Sequence, residues 1–532
     1  MTADTAGPIP STWAPLRLRV FRALWIATLI SNIGTWMQTV GAQWLLIDQP
    51  GAATLVALVQ TATLAPTLLF ALPAGVLADA FDRRRMLMAV QAFQVAVATV
   101  LAVLTATNHM PPALLLTFTF LLGIGATLGI PAYQALVPEL VPRPLVPSAS
   151  ALSGVSMNLA RAVGPAIAGL LVAGVGPAAV FAINAASFLA YGVVLAFSPI
   201  PTTDPSELPE RFGAALRVGS RYVRHSPVVR RILLRSALFV VPGSALWALL
   251  PLVASRRLGL GPGGYGLLLG ALGVGAVAGA FGLPRVRSRM RTNRMTALAS
   301  LVYCIALLAL ALVKQPAVVG LLLVPAGAAW LAVLTSLNAS MQLFLPSWVR
   351  ARGLSVYQIV FQGCQAAAAL VWGAVASQVG LVKTFLAATV VMAFSAASVR
   401  LWPLIDTRNL DRTPAVFWPE PIIEGEPDPD IGPILVHSTY TVPAERQEQF
   451  IEAMRWVRRS RLRTGATRWG LFRPGEEPDK LVEVYLVTSW AEHLRQHTGR
   501  LTGSDQFREE AAGAFAEGPP VVRHLFPAEP DV

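Results

Sequence analysis

The sequence predicts an all-α membrane protein with twelve spanning helices, followed by a small α+β domain. The first observation is composition: of 532 residues, 54% are hydrophobic and 13% are charged, whereas about 25% are charged in an average soluble domain. The second is a succession of apolar runs of membrane-spanning length. The third is a sharp rise in charge from Asp406 onward. This composition argues against a soluble enzyme.

The apolar runs define the spans. A bilayer core about 30 Å thick is crossed by roughly 20 apolar helical residues. Each run up to Pro403 therefore predicts one spanning helix. The twelve runs cover residues 22–47, 53–78, 86–107, 112–135, 149–174, 177–198, 231–255, 263–284, 295–313, 316–344, 354–378 and 380–404.

The net charge of +13 comes from arginines that cluster in the connections between apolar runs. They form no continuous basic domain, which favours topology signals over nucleic-acid binding. With the N-terminus inside, seventeen Lys and Arg residues lie in the inner connections and four in the outer ones. Because positive charge is retained on the cytoplasmic side, we expect a multi-pass protein with both termini in the cytoplasm.

The connection after the second run, GVLADAFDRRRML, places Gly75, Asp79, Arg83 and Arg84 at regular spacing. This pattern resembles the loop signature of the major facilitator superfamily, the twelve-helix secondary transporters. The resemblance implies that the glycine permits a close turn and that Asp79 faces the N-terminal dipole of the eleventh helix near Ser355. It also implies that the arginines complete a charge network that latches the outward-open state.

The same connection departs from the family pattern at Ala80 and Asp82, and a plain topology signal is the alternative interpretation. Internal duplication supports the resemblance, because Gly279 and the following arginine cluster recur about 204 residues after Gly75. Two six-helix halves produce such a repeat. The expected fold is therefore the twelve-helix major facilitator fold.

We expect five segments along the chain. They are an N-terminal six-helix half (1–198), a cytoplasmic amphipathic linker (199–230), a C-terminal six-helix half (231–405), a polar proline-rich linker (406–432) and a ferredoxin-like soluble domain (433–528).

Polar side chains inside the spans indicate a pathway, because they are unfavourable in lipid and face a cavity or another helix. Stripes of them occur in the first, tenth and eleventh spans: Asn32, Trp36, Thr39 and Gln43; Thr335, Asn338 and Gln342; and Gln358, Gln362 and Gln365. Together they predict a neutral substrate cavity with aromatic walls. Hydrogen bonding between helices is the alternative for each stripe alone.

The fifth span, SMNLARAVGPAIAGLL, places Asn158, Arg161 and Pro165 on one helical face, with Gly164 and Gly169 beside them. The segment resembles the antiporter motif of major facilitator exporters. Arg161 is the only arginine that we expect near the middle of a span, where it is unfavourable by about 3 kcal/mol unless it is hydrated or paired. We therefore expect Arg161 and Asn158 to contact substrate.

The tail predicts the order strand, helix, strand, strand, helix, strand between Ile434 and Phe526, which is a ferredoxin-like α+β domain. This part resembles the dimeric antibiotic-biosynthesis-monooxygenase-like fold. The whole chain, from FRALWIATLISNIGTWMQTVGAQWLL through WGLFRPGEEPDKLVEVYLVTSWAEHLRQH, resembles the bacterial transmembrane secretion effector family, which includes the enterobactin exporter. The resemblance implies a place in the bacterial inner membrane.

No metal, cofactor or disulfide is expected. Cys304 and Cys364 both lie in apolar runs without metal-ligand spacing. His493 and His497 have the i, i+4 spacing of a helical metal pair, but no carboxylate or cysteine completes a set. We therefore interpret them as exposed polar helix surface.

The sequence thus favours a secondary transporter that exports small amphipathic molecules such as a siderophore, a drug or a secondary metabolite, by proton antiport and alternating access. No Asp or Glu lies in the middle of a span, so the proton-carrying residue is unassigned. The alternatives are a membrane-anchored monooxygenase-like enzyme that uses the tail, and a facilitator of uptake or lipid flipping. The expected partners are a small-molecule substrate, protons, lipid and a second copy bound through the tail.

Overall fold

A computed structural model describes residues 12–199, 220–407, 410–411, 413, 415–418, 421, 423, 425 and 427–528. The side chains at positions 72, 76, 79, 80, 347 and 351 are outside the described set. The described residues fall into two compact units. The first lies within Met1–Pro209, Leu233–Leu337 and Gln358–Pro403, and the second lies within Glu210–Ile232, Asn338–Tyr357 and Leu404–Val532.

Long helices make up most of the described residues up to Ala397. They are α1 (Arg19–Leu45), α2 (Ala52–Ala80), α3 (Arg83–Ala106), α4 (Pro112–Leu136), α5 (Val146–Gly174), α6 (Pro177–Phe197), α7 (Pro227–Leu252), α8 (Pro262–Arg289), α9 (Thr292–Leu312), α10 (Pro316–Phe344), α11 (Ser347–Val379) and α12 (Leu381–Ala397).

Ten helices within the described residues, α2 to α11, are long and apolar enough to cross a membrane. The predicted spans 22–47 and 380–404 are also helical, but α1 and α12 are not among these ten. The helix α12 has 17 residues, which is shorter than a full crossing of the bilayer core. The helix α1 carries a polar stripe that lowers its hydropathy. Within the described residues there are therefore twelve long helices up to Ala397, of which ten are long and apolar enough to cross a membrane.

Proline and glycine set many helix starts. Five helices, α4, α6, α7, α8 and α10, begin with proline, whose fixed φ suits the first helical position and whose missing N–H has no helical partner there. Gly176 and Gly380 precede α6 and α12 with φ of +96° and +83°, a region that favours glycine. The two glycines are separated by the same spacing as Gly75 and Gly279, which agrees with an internal duplication.

The predicted start of the eleventh span is wrong by seven residues. We expected the helix to begin at residue 354, whereas α11 begins at Ser347. The polar segment SWVRARGLS continues the helix beyond its apolar part, so Ser355 lies two turns inside α11. A helix dipole acts mainly within the first turn, and Ser355 is therefore not at the positive end of this helix.

The tail has the predicted order of elements: β1 (Ile434–Thr441), α13 (Gln447–Thr464), β2 (Ala466–Phe472), β3 (Lys480–Val487), α14 (Trp490–Arg495), α15 (Gly503–Gly513) and β4 (Val521–Leu525). The four strands form an antiparallel sheet in the order β2-β3-β1-β4. Burial alternates along β1 and β3, because one face of the sheet packs against the helices. Val436, Tyr485 and Trp490 lie in that core.

The second unit also contains two segments from outside the tail. The Tyr222 ring lies 5.7 Å from the Trp348 ring, and the Arg500 guanidinium lies 4.7 Å from the same tryptophan ring. Arg221 donates a hydrogen bond of 2.5 Å to the Gly465 carbonyl. The tail therefore packs against the segment before α7 and against the first turn of α11.

Candidate functional site

Arg161 lies in α5 with its guanidinium carbon 5.5 Å from the centre of the Trp36 ring on α1. The two helices approach closely because residue 164 is glycine. A Cβ atom on Gly164 would lie 2.8 Å from the Trp36 Cβ and 3.1 Å from the Ile33 carbonyl oxygen. Gly164 thus allows the cation to lie near an aromatic ring, an arrangement that is electrostatically favourable.

The Arg161 side chain is not fully satisfied by protein groups. Its Nε atom is buried and, among the described residues, has no hydrogen-bond partner. We expected Asn158 to share a ligand with Arg161, but Asn158 donates to the Gly154 carbonyl of its own helix at 2.9 Å. An unpaired buried donor is unfavourable by about 1–3 kcal/mol. The arrangement leaves a charged donor free to bind an acceptor that enters the protein.

Aromatic rings continue from Trp36 across the first unit. The ring centroids of Trp36 and Trp247 are 6.0 Å apart, those of Trp247 and Trp330 are 5.5 Å apart, and those of Trp330 and Phe361 are 6.4 Å apart. The line joins α1, α7, α10 and α11. Most of these rings were missed by our sequence interpretation, since a single tryptophan in an apolar run gives no pattern, and a cavity with aromatic walls stays a prediction.

Residues of the polar stripe on α1 form hydrogen bonds either with another helix or with their own helix. Gln43 is buried and accepts a hydrogen bond of 2.5 Å from the Tyr265 hydroxyl, which is a contact between helices. Thr39 donates to the carbonyl of Thr35 on its own helix, and Asn32 reaches the Ser156 hydroxyl at 3.5 Å. Of this stripe, only Trp36 contacts Arg161.

The stripes on α10 and α11 divide between the two compact units. Gln342 donates to the Asn338 side chain at 3.0 Å, and both residues belong to the second unit. In the first unit, Gln358 is exposed, Gln362 is half-buried and Gln365 is buried. Thr335 accepts a hydrogen bond of 3.1 Å from Arg287 on α8. A role for these amides in a cavity stays a prediction.

The connection between α2 and α3 is a cluster of partnered charges. Asp82 caps α3 by accepting a hydrogen bond of 2.8 Å from the Arg85 backbone N–H, which explains an acidic residue at this departure from the family pattern. Arg83 pairs with Glu139. Arg84 donates to the Leu195 carbonyl at 2.9 Å and to the Ala196 carbonyl at 2.6 Å. These carbonyls end α6, where a cation is favourable.

The glycine of this signature does not form the expected close turn. Gly75 lies inside α2, and a Cβ atom added there would meet nothing within 4 Å. The turn itself comes at Phe81 and Asp82, after the helix ends. The predicted latch residue Asp79 lies in the last turn of α2, and its side chain is outside the described set.

The second glycine of the α5 motif permits a close contact between α5 and α8. A Cβ atom on Gly169 would lie 2.6 Å from the Pro262 carbonyl oxygen and 3.0 Å from the Gly266 Cα. In return, a Cβ atom on Gly266 would lie 2.5 Å from the carbonyl oxygen of Pro165. Gly266 of α8 therefore packs against the Gly-Pro motif of α5.

A second arginine within a span was missed. Arg235 on α7 is 1% exposed and donates hydrogen bonds to Ser395, Ser398 and Trp402, at and just beyond the end of α12. In the sequence, Arg235 lies one turn inside the predicted span 231–255, where an arginine resembles a residue at the membrane boundary. Arg161 is therefore not the only arginine inside a predicted apolar span.

Our interpretation of the tail histidines as exposed helix surface is wrong. His493 is 1% exposed and His497 is 9% exposed, and both side chains face His524 of β4. The helical spacing identified the pair, but nothing in the sequence indicated that β4 brings a third histidine to it.

Comparisons with known proteins agree with this architecture. A family model described as transmembrane secretion effector matches residues 10–531. The staphyloferrin A transporter of Staphylococcus aureus (strain NCTC 8325 / PS 47) is 26% identical over 282 residues, 52% of this chain and 70% of that protein. The multidrug efflux pump Tap of Mycolicibacterium fortuitum is 28% identical over 395 residues, 71% of this chain and 93% of that protein.

Among solved structures, a bacterial homolog of the human lysosomal transporter Spinster, in an inward-facing and unoccupied conformation, has a TM-score of 0.58 at 15% identity. The match covers 73% of this chain and 97% of that one. It shows a major facilitator fold, and the ten apolar helices agree with a multi-pass membrane protein. The family and these relatives are transporters and not enzymes, which removes the monooxygenase alternative. The chain belongs to the transmembrane secretion effector family of major facilitator transporters.

Proposed function

We propose that this protein exports small amphipathic molecules, such as a siderophore, a drug or a secondary metabolite, across the bacterial inner membrane. The observation that carries the proposal is Arg161, a cation near Trp36 with a buried donor that lacks a partner among the described residues. The names of the relatives, a siderophore transporter and a multidrug efflux pump, support this substrate class.

The proposed substrate has an apolar or aromatic body and at least one anionic or hydrogen-bond-accepting group. The acceptor group would bind the guanidinium of Arg161, which can form two parallel hydrogen bonds with a carboxylate. The apolar body would pack on the rings of Trp36 and Trp247. Mostly apolar walls with a few polar groups are typical of small-molecule sites.

We propose that all twelve helices cross the membrane, with both termini in the cytoplasm and with the five segments given above. Although α12 is short, Arg235 satisfies acceptors at its end. In this orientation the end of α5 and the start of α8 lie on the outer side. The close contact of Gly169 with α8 would then close the outer side, and alternating access would require it to open.

Proton antiport is part of the proposal. The spans contain no Asp or Glu in their middle, so coupling would use a carboxylate at a helix end or a substrate group. The charged connection between α2 and α3, with Asp79, Arg83 and Arg84, is the candidate latch for one conformation. Its arginines already join this connection to α6 and to Glu139 in the first unit.

For the tail we propose a regulatory or dimerising role. The tail contacts Tyr222, in the segment before α7, and Trp348, in the first turn of α11, and we expect the positions of both to change during transport. Dimerisation is supported by apolar residues of the edge strand β4, since Val521 is 59% exposed and Leu525 is 50% exposed. An exposed apolar edge strand favours pairing with another chain.

The test is transport by purified protein in proteoliposomes, with a panel of dyes and siderophores and an imposed pH gradient. We expect the substrate to move toward the acidic side of the membrane, against the flow of protons. We expect loss of this transport with Arg161→Ala. Arg143→Ala is the matched control, since Arg143 is an exposed arginine just before α5. Movement without dependence on the gradient would contradict antiport, and net accumulation in the opposite direction would identify uptake. Lipid movement alone would identify a flippase.

A further inference from the structure

The tail contains three histidines whose ring nitrogens converge. The Nε2 atom of His493 lies 2.9 Å from the Nε2 atom of His524 and 3.2 Å from the Nε2 atom of His497. One nitrogen of each ring falls in a group no wider than 4.8 Å. We propose that His493, His497 and His524 form a binding site for a divalent transition metal of the zinc class.

The fold brings these residues together from two places. His493 lies in α14, and His497 lies in the π-helical turn Gln496–Arg500 that continues it. The strand β4 pairs with β1 so that His524 is opposite Val436, and directly opposed side chains share a face of the sheet. Val436 is buried in the core below the helices. His524 therefore faces α14.

Hydrogen bonds among the three rings do not satisfy them. A neutral imidazole has one N–H and one lone pair, and His493 Nε2 faces two other Nε2 atoms. One hydrogen serves only one of these contacts, which leaves lone pairs directed at each other. In the described part of the chain, the Nδ1 atoms of His493 and His497 are buried without a hydrogen-bond partner. A cation bound by the three Nε2 lone pairs removes the repulsion and moves the hydrogens to Nδ1.

The surroundings supply an acceptor for one of those hydrogens. Gln496 Oε1 is also buried and, among described residues, has no partner, and its side chain acts on the pKa of His493. Metal-bound histidines usually donate their second N–H to an oxygen. Gln496, one turn along the helix from His493, offers an unpartnered acceptor of this kind.

Burial lowers the pKa of His493 to about 3 and that of His497 to about 4, and it lowers the pKa of His524 as well. The charge of nearby Arg461 contributes to the first two shifts, but this arginine is paired with Glu483 and Glu509. The pairing limits its repulsion of a bound cation.

The donor set selects the metal class. Three imidazole nitrogens suit zinc, cobalt, nickel or copper, whereas magnesium and calcium prefer oxygen. Zinc–nitrogen bonds of about 2.0–2.1 Å in tetrahedral geometry place the nitrogens about 3.3 Å apart, close to the 2.9 Å and 3.2 Å separations from His493, and the wider group would contract on binding. Three protein ligands leave a fourth position for water or an anion. The rings of Trp418 and Trp490 lie 4.8 Å and 5.4 Å from His497 and His493, respectively.

A metal here would also fix the turn that contacts the first turn of α11. Glu492, next to His493, forms an ion pair with Arg500, and Arg500 lies over Trp348. The occupied site would hold both ends of this turn in place. We expect slower amide hydrogen exchange across residues 490–500 when metal is bound.

The experiment uses the full chain, purified with a histidine-free affinity tag, stripped with a chelator and titrated with Zn²⁺. We expect one Zn²⁺ per chain after gel filtration, and X-ray absorption at the zinc edge should show imidazole nitrogens as the first shell. His497→Gln and His524→Gln should each weaken binding about 100-fold, the upper end of the effect of losing even an outer-shell partner. His437→Gln, a histidine of β1 outside the cluster, is the matched control and should bind as the wild type does.

The wild-type measurement does not depend on whether a variant folds. Absence of retained Zn²⁺, or a first shell of sulfur or carboxylate oxygen, would overturn the site. Unchanged binding by both His497→Gln and His524→Gln, or equal loss in His437→Gln, would overturn it as well.

Discussion

Two arginines within membrane helices of this protein have opposite surroundings. Arg235 directs its guanidinium donors at oxygens of Ser395, Ser398 and Trp402, so the protein itself satisfies the charge. Arg161 lies near the Trp36 ring with a buried Nε that lacks a partner among described residues. An arginine whose donors are all used holds helices together. One whose donors are unused is available to a ligand.

The largest expected effect comes from replacing each arginine by alanine. Arg235→Ala leaves several buried oxygens without donors, and we expect a loss of about 3 kcal/mol in the free energy of unfolding. Arg161→Ala should leave stability within about 1 kcal/mol and reduce transport roughly 10- to 100-fold, the effect of losing one charged hydrogen bond. Thermal unfolding in detergent and initial transport rates measure the two effects.

The same two variants can also contradict the proposed difference between Arg161 and Arg235. Normal transport by correctly inserted Arg161→Ala would place the arginine outside the mechanism and leave the α11 glutamines as the better candidates. Wild-type stability in Arg235→Ala would show that the hydrogen bonds at the end of α12 are replaceable.

The next largest effect comes from replacing each arginine by lysine, which distinguishes the role of its charge from the role of its planar geometry. Lysine keeps the charge but lacks the planar fork of arginine. We expect Arg235→Lys to be destabilised, because one ammonium cannot reach all three partner residues. Arg161→Lys should retain partial transport if the contact is electrostatic, with a reduction of about tenfold if the substrate acceptor is bidentate. Comparing anionic with neutral substrates in the same assay distinguishes these cases.

The comparison extends to two glycines of α5. Gly169→Ala places a Cβ atom 2.6 Å from the Pro262 carbonyl oxygen, whereas Gly154→Ala meets nothing within 4 Å. We expect Gly169→Ala to hold α5 away from α8 and to reduce transport about tenfold or less, since overpacking usually costs about 1–3 kcal/mol. Gly154→Ala should transport normally. Equal rates in the two variants would refute a role for the α5–α8 contact.

The smallest effects concern the two acidic residues of the connection between α2 and α3. Asp82 is an N-cap, and asparagine caps about as well as aspartate, so Asp82→Asn should change stability by less than about 0.5 kcal/mol. Asp79→Asn removes the same charge and should reduce transport several-fold if the carboxylate is the latch. Both variants should insert normally, because topology follows the arginines. Cysteine labelling from each side checks insertion, and wild-type transport by Asp79→Asn would remove the latch.

Most helix positions could be predicted because an apolar run must satisfy its backbone internally to cross a bilayer. The helix limits were misplaced where a helix continues into a polar segment, because the apolar run is shorter than the helix. This is the case at the start of α11, Ser347, and at the end of α8, Arg289. The strands of the tail were equally accessible, since alternate residues of β1 and β3 face the core. Local periodicity is sufficient for such features.

The site residues could be predicted only in part, because local periodicity does not show which residues other helices bring together. Arg161, Gly164 and Gly169 stood out because an arginine, a Gly-Pro pair and small residues are unusual in one span. Trp247, Trp330 and Arg235 did not, because their importance comes only from what other helices place beside them.

By itself, the sequence determined the membrane class, the order of helices and the βαββαβ order of the tail, since each depends on hydropathy and periodicity along a single segment. Tertiary structure alone decided which arginine has partners, that Gln43 of α1 bonds to Tyr265, and that His524 meets His493 and His497. Those contacts join residues far apart in the chain, and their energies depend on distance and burial, which no local pattern records.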